Sequence, residues 1–311
     1  MRNKLIVGLQ NQKLKLFSLF AGLCLQFTQS SAQDTLSLYD GAVPNYRHGQ
    51  LAPLPGKLSP GLIYRVTTPS LEIYLPEKGM ANGTGILICP GGSYKVLTYA
   101  GEGVAIAKAF AQKGVTAFVL KYRLPDDSLM VNKTTGPLQD AQRAIKLIRE
   151  NAAKWQLDSH KVGVIGFSAG GHLASTLATH YRQPVIENRN QTSLRPDFLI
   201  LVYPVISMQD SLTHADSRRN LLGSQPPADL IKLYSNELQV DANTPPTYLT
   251  HAGDDHLVDV DNSIVFYEKL RHQHVAAEMH LYPKGGHGYI FAKADWMTPL
   301  FEWMKNGKWL K

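Results

Sequence analysis

Cysteine is almost missing from this chain. Cys24 and Cys89 are the only two in 311 residues, which excludes a disulfide-stapled scaffold. An ordinary core must hold the fold together, and 44% hydrophobic residues over this length are enough to build one. No internal repeat or low-complexity tract appears, so collagen-like, solenoid and disordered classes are excluded. No pair of histidines at metal-ligand spacing on one helix face is followed by an acid, and no nucleotide-binding glycine loop is present, so neither a metal nor a cofactor is expected. Acids are absent from the first 32 residues, which hold Arg2, Lys4, Lys13 and Lys15. Setting those four aside leaves 28 basic against 25 acidic residues, so the formal charge of +7 shrinks to +3 and no nucleic-acid partner is expected.

That basic start leads into the apolar run Leu16 to Leu25 (LFSLFAGLCL) and a small-x-small end at Ser30-Ser31-Ala32. The pattern is that of a secretory signal peptide over 1–32, with cleavage expected after Ala32 and a periplasmic or secreted mature chain starting at Gln33. Ten apolar residues are too few for a membrane anchor, which needs ~20, so no stable membrane insertion is expected once the signal is removed. Leu23 is too bulky for the position before a lipidated cysteine. Cys89 then remains as a lone thiol on a predicted strand, expected to be buried and inert.

Residues 33–60 are rich in proline, glycine and polar side chains and are expected to form an extended arm. Alternation over residues 62–76 (LIYRVTTPSLEIYLP) predicts an antiparallel hairpin. Beyond it, short apolar runs at Gly85 to Cys89, Val115 to Lys121, Lys161 to Gly166, Phe198 to Tyr203, Thr247 to His251 and Glu278 to Tyr282 read as buried strands. Helical spacing falls between them at Glu102 to Gln112, Leu138 to Trp155, Gly170 to His180 and Asp261 to His272, with a last helix near Ala294 to Met304. Such alternation predicts an α/β domain over 61–311, a mostly parallel central sheet with helices on both faces. The stretch 207–243 breaks the beat and is expected to be a small insertion over one end of the sheet, with a short helical piece at Asp229 to Leu238.

The richest chemistry lies in Lys161 to Ala174 (KVGVIGFSAGGHLA), where an apolar strand runs through Gly166-Phe167-Ser168-Ala169-Gly170 into a helix. A bare G-x-S-x-G arises by chance roughly 0.1 times per chain, but between a strand and a helix it is the nucleophile elbow. Glycines are needed there because a side chain at Gly166 or Gly170 would collide with neighbouring backbone, and Ser168 is the candidate nucleophile. A serine hydroxyl needs a base, and the base needs a carboxylate to orient it. His287 is the candidate base, since it sits in the glycine-rich loop Lys284 to Tyr289 directly after the last predicted strand. His172 is expected to be a helix-face residue that orders nearby loops, and His251, His256 and His280 are expected to be structural. For the acid, the loop after Thr247 to His251 offers Asp254 and Asp255. Asp255 is preferred because it stands three residues before the small apolar Val258, although Asp254 remains open to share the role. The order Ser168, Asp255, His287 suits a hydrolase elbow. Donors for an oxyanion are expected from the amides of Ala169, Gly92 and Ser93, the last two in the turn after strand Gly85 to Cys89. Tyr122 and Tyr203, near strand ends, are expected to wall a short acyl pocket and stack on a sugar at its mouth.

Together, PGGSY at 90–94, KYRLP at 121–125, GFSAGGHLA at 166–174, HAGDDHLV at 251–258 and GGHGY at 285–289 resemble the α/β-hydrolase superfamily over about residues 60–305. Within it the chain is similar to exported acetyl xylan esterases and related carbohydrate esterases. Ser93 stands where the family loop, PGGGY or HGGGW, has its third glycine. The resemblance implies an α/β-hydrolase fold and a serine esterase acting, through an acyl-enzyme, on acetyl groups of plant polysaccharides such as xylan. Feruloyl or short-chain carboxylic esters are the alternative substrates for the same machinery. A peptidase is disfavoured because no propeller or accessory domain is present to select peptides. A non-catalytic binding module is disfavoured because all three triad positions hold competent residues.

Overall fold

The computed structural model describes residues 34–51 and 53–311; the expected signal peptide and its cleavage point after Ala32 lie outside them. Eight strands form one sheet: β1 (Asp34–Ser37), β2 (Ser70–Tyr74), β3 (Gly85–Cys89), β4 (Thr116–Lys121), β5 (Val162–Phe167), β6 (Leu199–Val202), β7 (Thr247–Ala252) and β8 (Ala277–Tyr282). Their spatial order is β1-β2-β4-β3-β5-β6-β7-β8. From β4 to β8 every pairing is parallel, while β2 runs antiparallel to both β1 and β4. The six apolar runs are the six parallel strands, each end within one residue of expectation. Every residue of β3, β5, β6 and β7 is buried, which is why these strands read as unbroken apolar runs and not as alternating ones.

The predicted hairpin over residues 62–76 is not formed. Its second half is β2, but the first half makes only an isolated bridge between Ile63 and Leu97, and β2 takes β1 as its partner instead. Alternation reports which side chains are half-buried, not which strand lies alongside, and β2 has both edges filled by β1 and β4. The N-terminal arm therefore contributes the edge strand of the sheet. Beyond β1 it passes over its own chain in bends and a turn, not in the extended course expected, and there Tyr39 donates from its hydroxyl to Asp140 (3.1 Å) and Arg123 donates to the Pro44 carbonyl (2.7 Å). Arg123 and Asp140 are themselves a fully buried ion pair (2.7 Å).

Seven helices surround the sheet: α1 (Ala105–Ala111), α2 (Gly136–Glu150), α3 (Ala169–Thr179), α4 (Ala215–Leu222), α5 (Ala228–Tyr234), α6 (Asp261–His272) and α7 (Met297–Asn306). The chain leaves β3 through α1 to reach β4 on one side, then crosses back through α2 to reach β5 on the other. Right-handed crossovers in opposite directions put α1 and α2 on opposite faces. α7 joins α1 through the edge-to-face pair Phe110 and Phe301. The reversal puts the topological switch point at the carboxyl ends of β3 and β5, the position at which such sheets bind ligands. Residues 207–243 lie outside the strand and helix alternation and contain α4 as well as α5; α4 was not expected from sequence. Asn236 fastens this insertion to α3, donating to the His172 carbonyl (3.1 Å) and to the Ser175 hydroxyl (2.8 Å).

Candidate active site

Ser168 sits between β5 and α3 with φ 50° and ψ −121°, a left-handed backbone that a non-glycine residue adopts only under constraint. The constraint is visible in its hydrogen bonds. Its N–H donates to the Val202 carbonyl (3.1 Å), and its own carbonyl accepts from Gly171, His172 and Val205. A Cβ on Gly166 would lie 2.2 Å from the Gly170 carbonyl oxygen, and one on Gly170 would lie 2.1 Å from that of Cys89. Both positions are closed to any side chain, as expected of the elbow.

The Ser168 Oγ lies 3.0 Å from Nε2 of His287, and Nδ1 of His287 lies 2.7 Å from Oδ2 of Asp255. A carboxylate accepts only, so His287 carries its proton on Nδ1 and leaves Nε2 to accept the Ser168 hydroxyl proton. Three different strand ends, those of β5, β7 and β8, bring these residues together. Asp255 accepts four bonds: from His287 and from His251 Nε2 (3.1 Å) on Oδ2, and from the amides of Leu257 (2.9 Å) and Val258 (3.0 Å) on Oδ1. Burial alone would raise its pKa, but the bonds from His251, His287 and Val258 outweigh that and hold the carboxyl well below the usual carboxylate range. Asp254 faces elsewhere; its Oδ1 accepts the Gly286 N–H (2.8 Å) and tethers the loop that carries His287.

The expected oxyanion donors lie beside the serine. In the turn after β3, Gly92, Ser93 and Tyr94 all have positive φ (123°, 56° and 58°). Gly92 is obligatory, because a Cβ there would lie 2.2 Å from the Val96 carbonyl oxygen. Among the described residues the amides of Gly92, Ser93 and Ala169 donate to no acceptor, so all three are available to one. Gly91, before them, packs so closely that a Cβ would stand 2.9 Å from Cβ of Ser168. The turn is held from outside by Asn220 of α4, which donates to the Ser93 carbonyl (2.8 Å), and by His172.

His172 bridges two loops: Nδ1 accepts from the Tyr94 hydroxyl (2.9 Å) and Nε2 donates to the Tyr234 carbonyl (2.8 Å). Complete burial lowers its pKa to about 4, so the imidazole is neutral there. His251 is a structural histidine with a site-related bond to Asp255, while His256 is exposed and His280 pairs with Glu278 on β8. Cys89 is fully buried, and burial pushes its thiol pKa up, leaving it inert. Tyr122 and Tyr203 do not wall an acyl pocket. Both are fully buried, with the Tyr122 hydroxyl donating to the Pro90 carbonyl (2.7 Å) and the Tyr203 hydroxyl to Glu102 (2.9 Å). Strand-end position alone does not say whether a ring points out over the sheet or back beneath its loops. Sequence reasoning also passed over Glu102; its signal was a carboxylate between two glycines, Gly101 and Gly103, directly before the helix that follows the donor turn.

Among the described residues no cluster of His, Cys, Asp and Glu is arranged to hold a metal ion, and no helix is long and apolar enough to cross a membrane. A cleft of about 560 Å³ between the arm and α2, lined by Tyr39, Arg143 and Lys146, contains none of Ser168, Asp255, His287 or the donor turn. A smaller groove of about 300 Å³, lined by Tyr64, Lys95, Leu124 and Asn220, abuts the donor turn at Tyr94.

The BD-FAE family model matches residues 71–270. The chain is 34% identical over 243 residues to an acetylxylan esterase of Xylanibacter ruminicola, covering 76% of this chain and 47% of that protein. It is 36% identical over 232 residues to endo-1,4-beta-xylanase B of Butyrivibrio fibrisolvens, covering 74% of this chain and 36% of that protein. The chain thus spans between a third and a half of the length of these curated relatives. A solved structure, the acetyl ester-xyloside bifunctional hydrolase from Caldicellulosiruptor lactoaceticus, superposes with a TM-score of 0.74 at 31% identity, covering 89% of this chain and 97% of that one.

Proposed function

This chain belongs to the BD-FAE family and has the α/β-hydrolase fold, and from that premise we propose that it is a serine esterase that removes acetyl groups from xylan-type polysaccharides. The observation that carries the reading is the continuous chain of hydrogen bonds from Ser168 through His287 to Asp255, set on a strained elbow beside three unengaged amides. In this reading Ser168 Oγ attacks the ester carbonyl carbon while His287 Nε2 takes the hydroxyl proton. Asp255 stabilises the resulting imidazolium, and the amides of Gly92, Ser93 and Ala169 receive the charge that develops on the carbonyl oxygen. The imidazolium returns its proton to the departing sugar oxygen, which leaves as a hydroxyl while the acetyl group stays on Ser168 as an ester. Water then repeats the sequence against the acyl-enzyme, activated by the same histidine, and frees the serine.

Two of the named relatives and the solved homologue support a xylan-derived substrate, and the groove beside Tyr94 offers the carbohydrate a place next to the donor turn. The leader-like first 32 residues support export to the periplasm or beyond, where such polymers are met. Rates on 4-nitrophenyl acetate, butyrate and octanoate, with acetate release from acetylated xylo-oligosaccharides, test the acyl preference. We expect a graded fall past about four carbons, since one methylene discriminates by only ~1 to 3 kcal/mol. A maximum at octanoate, or faster cleavage of feruloyl esters, overturns the acetyl assignment. Ser168→Ala should lose on the order of 10⁶ in kcat with the fold intact; retention of more than about a hundredth of the activity overturns the nucleophile itself.

A further inference from the structure

Glu102 lies buried on a π-helical turn (Tyr99–Val104) between the donor turn and α1. Asp140 faces Arg123 and Asp255 faces two imidazoles, but the Glu102 carboxyl has no cation in contact among the described residues. Burying such a group is costly unless each oxygen is matched by a donor. Each is. Oε2 accepts the Gly91 N–H (2.7 Å) and Oε1 accepts the Tyr203 hydroxyl (2.9 Å).

These two donors lead to opposite sides of the reacting centre. Gly91 is the first residue of the turn whose next two amides, Gly92 and Ser93, are the oxyanion donors. With its N–H tied inward to Glu102 and its carbonyl accepting from Thr98 (3.0 Å), the direction of the following peptides is set. Tyr203 lies on the other side, its ring packed against His287 with centroids 4.7 Å apart. Its backbone is held at φ 37° by its amide, which donates to the Thr250 carbonyl (2.8 Å). One carboxylate thus holds both the donors and the backing of the base.

We propose that Glu102 is a positioning residue for the esterase reaction, fixing the oxyanion turn through Gly91 and the His287 ring through Tyr203. The proposal rests on the triad reading above. Burial raises the Glu102 pKa, opposed by the bonds from Gly91 and Tyr203. The groups facing Glu102 are Tyr203, Tyr122 and His287; those facing His287 are Asp255, Ser168, Tyr203 and Glu102, with His214 of the insertion within electrostatic reach.

The test is Glu102→Gln in the full chain, because the amide keeps the shape and one acceptor while removing the charge. We expect kcat to fall about 10- to 100-fold with KM within about threefold, an order set by the loss of one oxyanion donor's alignment. Glu102→Asp keeps the carboxyl but not the reach, and should leave kcat depressed in the same way. A wild-type kcat in Glu102→Gln, or a fall in kcat accompanied by a KM rise beyond about threefold, overturns the proposal. Ser168→Ala run in parallel separates the two readings. If that variant stays active, the triad and this proposal fall together; if it is dead beside a wild-type-like Glu102→Gln, only the positioning role falls.

Discussion

Asp255→Asn is the most discriminating substitution at this site, because the outcome follows from counting donors and acceptors. Four N–H groups aim at the carboxylate: the amides of Leu257 and Val258 at Oδ1, and the imidazoles of His287 and His251 at Oδ2. Asparagine offers one acceptor and one NH₂. The two amides belong to the backbone and cannot change, so the carbonyl oxygen must take the place of Oδ1 and the NH₂ that of Oδ2. Facing an NH₂, His287 has to surrender its Nδ1 proton and carry it on Nε2, the atom that must accept from Ser168. The imidazole is then in the wrong tautomer. The expected loss is on the order of 10⁴ in kcat, or about 5.5 kcal/mol of barrier. Asp254→Asn keeps an acceptor for the Gly286 N–H and should cost less than about tenfold on the same scale. Because the folded pKa of Asp255 is depressed, its stabilisation is present above the unfolded value of about 3.9 and is lost as pH falls through the folded one. The carboxylate is therefore ionised throughout an ordinary assay range. Steady-state rates on 4-nitrophenyl acetate, with thermal unfolding to confirm the fold, make the comparison. Equal losses for the two asparagine variants, or a larger loss at Asp254, would refute the assignment.

Three further outcomes are expected. Gly91→Ala places a Cβ 2.6 Å from the Phe167 carbonyl oxygen and 2.9 Å from Cβ of Ser168, so kcat should drop at least about 100-fold as the donor turn is pushed off the serine; near-normal turnover would mean the turn has slack. His172 is neutral when folded, with a pKa of about 4 against an ordinary 6.5, so stability should be complete above 6.5 and fall by about 3 kcal/mol as pH drops towards 4. Urea titrations at several pH values should show this slope in the wild type and a flatter one in His172→Gln; parallel curves count against it. Asp140→Ala strands a buried guanidinium and should cost about 3–5 kcal/mol, a Tm decrease on the order of 10 °C, with faster proteolysis of the arm; an unchanged Tm would place the arm's anchorage elsewhere.

The parallel core was readable because strands buried on both faces leave a plain signature: GILIC, VGVIGF and LILV cannot be exposed on either side. β1 was not, since DTLS is short, polar and half-exposed, and its partner lies more than 30 residues away. Helix α4 (ADSRRNLL) carries too few apolar residues to announce a period. Ser168 and His287 were legible from the backbone their chemistry demands, an elbow in one case and a glycine-rich loop in the other. Asp254 and Asp255 are chemically identical, and only the loop's course decides which carboxylate meets the imidazole. Glu102 was hidden for a different reason: an acid at a helix start is normally solvated, and its flanking glycines, Gly101 and Gly103, do not by themselves say that the donor turn and Tyr203 fold over it.

The three residues of the constellation do not share one degree of protection. The elbow of Ser168 rises from the buried middle of the sheet, whereas the loop of His287 hangs from β8, an edge strand with no fully buried residue. Cooperative units with little burial open at free energies well below that of global unfolding. On warming, β8 and its loop should detach first, taking the base away from a serine that stays in place. Hydrolysis would then cease reversibly while most of the sheet remained folded, and amide exchange would be faster in Ala277–Tyr282 than in Val162–Phe167. Inactivation and denaturation would be two separate transitions of the same chain.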